Sequence, residues 1–289
     1  MFTIANEFLQ IKIKSKGAEL SSIQKAGLEY LWQADASVWG RHAPVLFPIV
    51  GKVVDNTYKH IGKSFTLTQH GFARDAEFEL VSQTTDSCRF VLRSSEASLE
   101  KYPFKFSFYI DYKLENSVVK VSFEVVNEGD ETMYFQLGGH PAFNTPLQQG
   151  ELFEEYEVVF PENELLNTWL INLDKGLIKH EQEQVIHHGG KISLNKYVFD
   201  KDALIFKQFH SRRVSLLHQK TQKGVQMYLG TFPYLGIWAP KGAEKFVCLE
   251  PWQGHSDFED FTGELKNKEG IISLEKNQHY NAWYAVEIL

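Results

Sequence analysis

The chain has 289 residues, 43% of them hydrophobic, which is enough for a sizeable buried core and too apolar for a disordered chain. A formal net charge of −7 leaves no electrostatic footprint for nucleic acid or an anionic membrane. Cys88 and Cys248 are the only cysteines and form no C-x-x-C pair, which argues against a structural zinc or redox motif and for reduced thiols inside a cell. The N-terminus lacks a basic stretch followed by an apolar one, and no apolar run approaches the ~20 residues of a membrane span. The expected setting is soluble and cytoplasmic.

In chain order, the first expected strands are Phe8 to Ile13, Phe65 to Thr68, Ala76 to Val81 and Arg89 to Leu92. Ser95 to Lys101 reads as about two helical turns that stop before Pro103. The clearest signal is a period of two: Phe104, Phe106, Phe108, Ile110 and Tyr112 alternate with polar residues, and so do Val119, Val121, Phe123 and Val125. With Glu115-Asn116-Ser117 as the turn, these two runs predict a hairpin. Met133 to Leu137 is the next strand. Further strands are expected at Glu155 to Phe160, Val214 to Leu217, Val225 to Gly230, Tyr234 to Ala239, Phe246 to Leu249 and Asn281 to Ile288. Leu194 to Tyr197 is read as one helical turn, and the mostly polar stretch Glu181 to Gly190 as no domain boundary. Many short strands without β-α-β alternation predict a large antiparallel, all-β architecture in one domain over residues 1–289.

Three segments carry candidate chemistry. His140 lies in Gly138-Gly139-His140-Pro141-Ala142-Phe143-Asn144, His70 in Gln69-His70-Gly71-Phe72-Ala73-Arg74, and Glu250 in Cys248-Leu249-Glu250-Pro251-Trp252-Gln253-Gly254. Two imidazoles and a carboxylate in Gly/Pro-punctuated segments suit an acid/base site, because two groups in different environments can titrate near working pH. Trp39, Phe72, Phe143, Trp238 and Trp252 lie in segments that would supply aromatic walls for a sugar.

These residues resemble the aldose 1-epimerase (galactose mutarotase-like) superfamily, specifically its LacX-like branch. The resemblance runs from Gly17-Ala18-Glu19-Leu20-Ser21-Ser22 through Leu31-Trp32, Pro44-Val45-Leu46-Phe47-Pro48, the His70 and His140 segments and Gly236-Ile237-Trp238 to Leu249-Glu250-Pro251. It implies a β-supersandwich with an open cleft and a cofactor-independent anomerisation. Glu250 stands where the family has its general base, His140 where it has its general acid, and His70 where a second histidine binds the sugar near the reacting centre. Asp202 matches an aspartate for sugar hydroxyls. The chain departs from the better-known galactose mutarotases at Gly51-Lys52-Val53-Val54-Asp55-Asn56, where an arginine contact is missing and Arg41 or Lys52 is the candidate replacement. Arg74 resembles an arginine of the hexose-6-phosphate epimerases, where a guanidinium can fork onto phosphate.

Other readings stay open at this point. The protein is a mutarotase acting on a hexose or hexose phosphate, or a sugar-binding module of the same fold that lost catalysis. Its partner is a small molecule, with no nucleic acid and no membrane, and it is a monomer or a homodimer. Arg74 has Asp75 and Glu77 as competing surface partners. His70, His140 and Glu250 also make a two-His, one-carboxylate set, although no short H-x-H spacing supports a metal, and none is expected. Adjacent His187 and His188 would point to opposite faces of a strand and are not read as ligands.

Overall fold

The computed structural model describes residues 1–289 except Asn163, His187, His188 and Gln208, so the His187-His188 pair lies outside the described residues. The expected hairpin forms the middle of the molecule: Phe106–Glu115 pairs with Val118–Asn127 over ten residue pairs, closed by a two-residue turn at Asn116 and Ser117. Its alternation sends Phe106, Phe108, Ile110 and Tyr112, with Val119, Val121, Phe123 and Val125, into the core.

That hairpin belongs to a nine-stranded antiparallel sheet. From one edge to the other its strands are Lys191–Ser193, Tyr156–Val159, Arg213–His218, Gly224–Tyr228, His279–Ile288, Val118–Asn127, Phe106–Glu115, Ser87–Arg93 and Glu79–Gln83. A second sheet carries the site. Its strands are Leu204–Phe206, Tyr234–Trp238, Phe246–Gln253, Leu137–Gly139 and Val45–Leu46, with Ala142–Asn144 also pairing to Phe246–Gln253. One continuous cluster of buried side chains joins the two, with Leu235, Ile237, Val247 and Leu249 of the second sheet beside Phe123, Met227 and Tyr284 of the first. Phe47 is its aromatic hub, stacked on Phe108 at 4.7 Å and edge-on to Phe106 at 5.1 Å. Each such side chain contributes roughly 1.5–3 kcal/mol by leaving water.

Several expectations shift. The predicted helix shortens to the single turn Glu96–Leu99, capped by Ser95, because Tyr102 precedes Pro103 and turns its ring wholly into the core. Leu194 to Tyr197 forms no helix; only a turn starts near its end. Met133 to Leu137 splits into Met133–Phe135 and Leu137–Gly139. The break is at buried Gln136, whose side chain accepts from the Val50 N–H at 3.1 Å and donates to the Glu269 carbonyl at 3.0 Å. The strand expected to end at Leu249 continues through Pro251 to Gln253. Part of Glu181 to Gly190 is strand as well: Leu177–Ile186 pairs with Leu166–Asn172 in a two-stranded hairpin. Among the described residues no helix is long and apolar enough to cross a membrane.

Candidate active site

The site is built by strand alternation. On Phe246–Gln253, Val247 and Leu249 face the core, so Cys248, Glu250 and Trp252 share the opposite face. Tyr234–Trp238 pairs alongside, with Gly236 opposite Glu250 and Trp238 opposite Cys248. On the other side Gly138 pairs with Trp252 and Ala142 with Cys248, while His140 and Pro141 between them leave the ladder. By count, His140 falls opposite Glu250. The two flanking glycines are a packing requirement. A Cβ on Gly138 would lie 2.8 Å from the Trp252 ring, and one on Gly139 would lie 2.9 Å from the Tyr284 ring.

His140 Nε2 lies 3.1 Å from Glu250 Oε2, with the two residues only 8% and 1% exposed. The contact is within ion-pair distance but is not aligned as a hydrogen bond, since Oε2 has no hydrogen-bond partner. Burial pushes the Glu250 carboxyl well above the usual carboxylate range, the Asp202 charge adds to this, and the Trp252 indole N–H opposes it. Burial likewise pushes the His140 imidazolium down, to about 3, with Arg74 and Arg41 acting the same way. Both groups are therefore held towards their neutral forms, side by side. Trp39 stacks on His140 at 5.1 Å and Trp238 meets it edge-on at 5.8 Å.

His70 arrives from a different element and meets His140 edge-on at 5.6 Å. Its backbone sits at φ +65°, followed by Gly71 at φ +68°, where a Cβ would strike the Phe47 carbonyl oxygen at 2.3 Å. The Gly51 N–H donates to His70 Nδ1 at 3.1 Å, and the His70 N–H donates to the Gly51 carbonyl at 2.7 Å. A ring nitrogen that accepts a backbone N–H carries no proton, so neutral His70 bears its proton on Nε2. Burial first, then His140, Arg74 and Arg41, hold its pKa well below the ordinary value.

These groups line a cavity of about 580 Å³. Its wall includes Trp39, Trp238 and Trp252, with Gln69, Arg74, Asp200, Asp202, Lys241 and Ser256 as polar groups. Asp202, at φ +75°, accepts from the Ala203 N–H at 2.8 Å through Oδ1. Ile171, Leu173 and Gly176 of the Leu166–Ile186 hairpin close one side. Their segment carries no motif, and the exposed polar run from Lys179 to Gln184 hides its strand periodicity, so the sequence pointed to none of them.

Four expected contacts go elsewhere. Phe72 packs against Phe47, Tyr102 and Phe106, and Phe143 turns into the core, away from the face that Ala142 shares with Cys248. Arg41 Nη2 is held by Asp75 at 3.0 Å and is not part of the cavity wall. Lys52 Nζ donates to the Lys175 carbonyl at 2.9 Å. Arg74 does reach the cavity: Nη2 donates to the Gln69 carbonyl at 2.7 Å, Nε lies 3.8 Å from Asp75, and that buried Nε has no hydrogen-bond partner. Among the described residues, the metal-competent cluster is His140, Cys248 and Glu250, with all ligand atoms within 4.8 Å of one another, rather than the set with His70.

This antiparallel β architecture has counterparts among known proteins. The aldose 1-epimerase family profile matches residues 1–273, and the chain belongs to that family. Protein LacX (chromosomal) of Lactococcus lactis subsp. lactis is 33% identical over 261 residues, covering 88% of this chain and 87% of LacX. The galactose mutarotase related enzyme of Lactobacillus acidophilus superposes with a TM-score of 0.94 at 34% identity, covering 100% of this chain and 97% of the other. A galactose mutarotase-like protein of Lactobacillus casei ATCC 334 gives 0.94 at 28% identity, with both chains covered completely.

Proposed function

We propose that the protein is a cofactor-independent aldose 1-epimerase that interconverts the α and β anomers of a hexose. The supporting observation is the placement of His140 and Glu250, 3.1 Å apart at the cavity wall, with Glu250 on its strand and His140 in the two-residue link beside it. A pyranose carries its C1 hydroxyl and its ring oxygen on the same carbon, so the base and the acid must come from neighbouring positions. With the pair's one proton on His140, Glu250 takes the proton of the C1 hydroxyl as the bond from C1 to the ring oxygen breaks, and His140 gives its proton to that oxygen. Rotation about C1–C2 turns the aldehyde, and the same two protons return as the ring closes on its other face. One proton shared by the pair serves both directions. His70 Nε2–H donates to a sugar oxygen near C1, Asp202 accepts from hydroxyls, and the three tryptophans cover the apolar faces of the ring.

The test is anomer exchange by NMR at neutral pH with α-galactose, α-glucose and glucose 6-phosphate. Acceleration above the buffer rate is expected for at least one of them. Saturable sugar binding with no acceleration would point instead to a non-catalytic binding module.

A phosphorylated hexose is the second reading, favoured by Arg74. Its buried Nε at the cavity wall has no hydrogen-bond partner and only a 3.8 Å ion-pair contact with Asp75, whereas Arg41 and Lys52 are hydrogen-bonded elsewhere. If Arg74 forks onto a phosphate, Arg74→Ala raises KM for glucose 6-phosphate by about tenfold or more, the cost of a charge-assisted contact, and leaves kcat nearly unchanged. An equal change for free glucose would remove the phosphate role.

A further inference from the structure

We propose that His140, Cys248 and Glu250 form a binding site for a thiophilic divalent cation, with Zn²⁺ the ion that fits, and that its occupation shuts the sugar site. The shutting rests on the epimerase reading above; the binding does not. Strand alternation aims Cys248 and Glu250 to the same face, and His140 faces Glu250 from the link between Leu137–Gly139 and Ala142–Asn144. The three ligand atoms lie within 4.8 Å of one another, and the His140–Glu250 edge is already 3.1 Å. Zinc at its usual bond lengths sets tetrahedral ligand atoms roughly 3.3–3.7 Å apart. Closing the site therefore asks for up to roughly 1–1.5 Å of side-chain movement.

The donor set selects the ion. Imidazole, thiolate and carboxylate suit zinc, whereas Mg²⁺ and Ca²⁺ require oxygen ligands throughout. A polar observation independent of the cluster points the same way: Glu250 Oε2 and His140 Nδ1 are buried without any hydrogen-bond partner, and a cation on Oε2 satisfies the first of these. Three protein ligands leave the fourth position for water. On binding, the Cys248 thiol and the His140–Glu250 pair each give up one proton to solvent in exchange for the metal. Because the ion takes both groups that move the sugar's protons, ion and sugar exclude each other.

Cobalt(II) titration of the full chain reads the site without any activity, through the near-ultraviolet thiolate-to-cobalt charge-transfer band. Such a band is expected, saturating at one equivalent, reversed by Zn²⁺, retained in Cys88→Ala and absent in Cys248→Ala. Cys88 lies on Ser87–Arg93 opposite Tyr112, in the other sheet, so in Cys88→Ala any thiolate signal belongs to Cys248. This holds even where Cys248→Ala does not fold. In the anomer-exchange assay Zn²⁺ competes with sugar, and Cys248→Ala weakens that inhibition at least tenfold, since even outer-shell partners are worth about 10–100-fold in metal affinity. Absence of the band in the parent and in Cys88→Ala overturns the site. Equal zinc inhibition of parent and Cys248→Ala does so as well. A parent that shows the band but exchanges no anomers keeps the metal site and removes the epimerase reading instead.

Discussion

Glu250→Gln is expected to lose at least about 10²-fold in anomer-exchange turnover, the usual cost of removing a positioned proton acceptor. His140→Asn should lose a comparable factor, because the ring oxygen then has no acid opposite the base. The amide introduced by Glu250→Gln cannot take the C1 proton, yet it occupies the same volume and keeps its place in the ladder beside Gly236. A turnover within a few-fold of the parent in both variants would show that these groups do not carry the protons.

The same substitution should stabilise the fold, increasingly so as the pH rises. Folded, burial holds the Glu250 carboxyl towards its protonated form and pushes the His140 imidazolium down to about 3, so the pair keeps one proton to higher pH than a free glutamate would. Moving that proton between the two side chains does not change the count. Unfolded, the glutamate releases its proton near pH ~4.3 and the histidine near ~6.5. A raised carboxyl pKa contributes stability that is full below the unfolded value and is lost as the pH climbs to the folded one. The lowered His140 pKa contributes stability that is full above the ordinary histidine value and is lost as the pH falls towards 3. In the parent the two trends cancel between roughly pH 4.5 and 6, after which stability declines. Glu250→Gln keeps only the histidine trend, so its advantage over the parent grows by up to about 1.4 kcal/mol per pH unit until the folded carboxyl ionises. Thermal melts of both proteins at pH 5.5 and 8 measure this. A Tm difference that stays constant, or shrinks, would mean that Glu250 is ionised in the folded protein.

The residues of the cavity were legible in the sequence only in part: His70, His140, Glu250, Trp39, Trp238, Trp252, Arg74 and Asp202 line it, whereas Ile171, Leu173 and Gly176 carried no signal. Alternation around Glu250, a histidine after two glycines and a second histidine before a glycine are local patterns, and local sterics explain them: rings of Trp252 and Tyr284 lie where Cβ atoms would otherwise stand. The sheet-forming hairpin was legible for the same reason, since half of each strand is core. Phe72 and Phe143 were misplaced because nearness in sequence to a site histidine does not set a side chain's direction, and Phe143 is one strand position out of phase with His140 and Ala142. Arg41 and Lys52 failed for a different reason. Long flexible side chains go to whichever carboxylate or carbonyl the tertiary fold brings near, here Asp75 and Lys175. The hairpin Leu166–Asn172 with Leu177–Ile186 was invisible because its polar residues are exposed on both faces, which removes the period-two signal.

Lys268→Met should cost about 3–5 kcal/mol of folding stability, the largest loss expected here from a residue outside the cavity wall. Lys268 Nζ donates to Asp257 Oδ1 at 2.6 Å, and the side chains are only 2% and 4% exposed. Methionine matches the length but strands the Asp257 charge in the interior. The pair also anchors the loop that holds His70. Asp257 Oδ2 accepts from the Val54 N–H at 3.0 Å, and the Asp257 N–H donates to the Lys52 carbonyl at 2.8 Å. The Lys52 N–H donates to Ser256 Oγ at 2.9 Å, and Gly51, the next residue back, grips His70 through both of its backbone groups. Urea unfolding measures the loss, with Lys113→Met as the reference: Lys113 pairs with Glu115 at 3.3 Å in full view of solvent, and its removal should shift stability by only about 0.5 kcal/mol. Equal small shifts in both variants would mean that water reaches Asp257 and that the loop bearing Gly51 is held by its backbone hydrogen bonds alone.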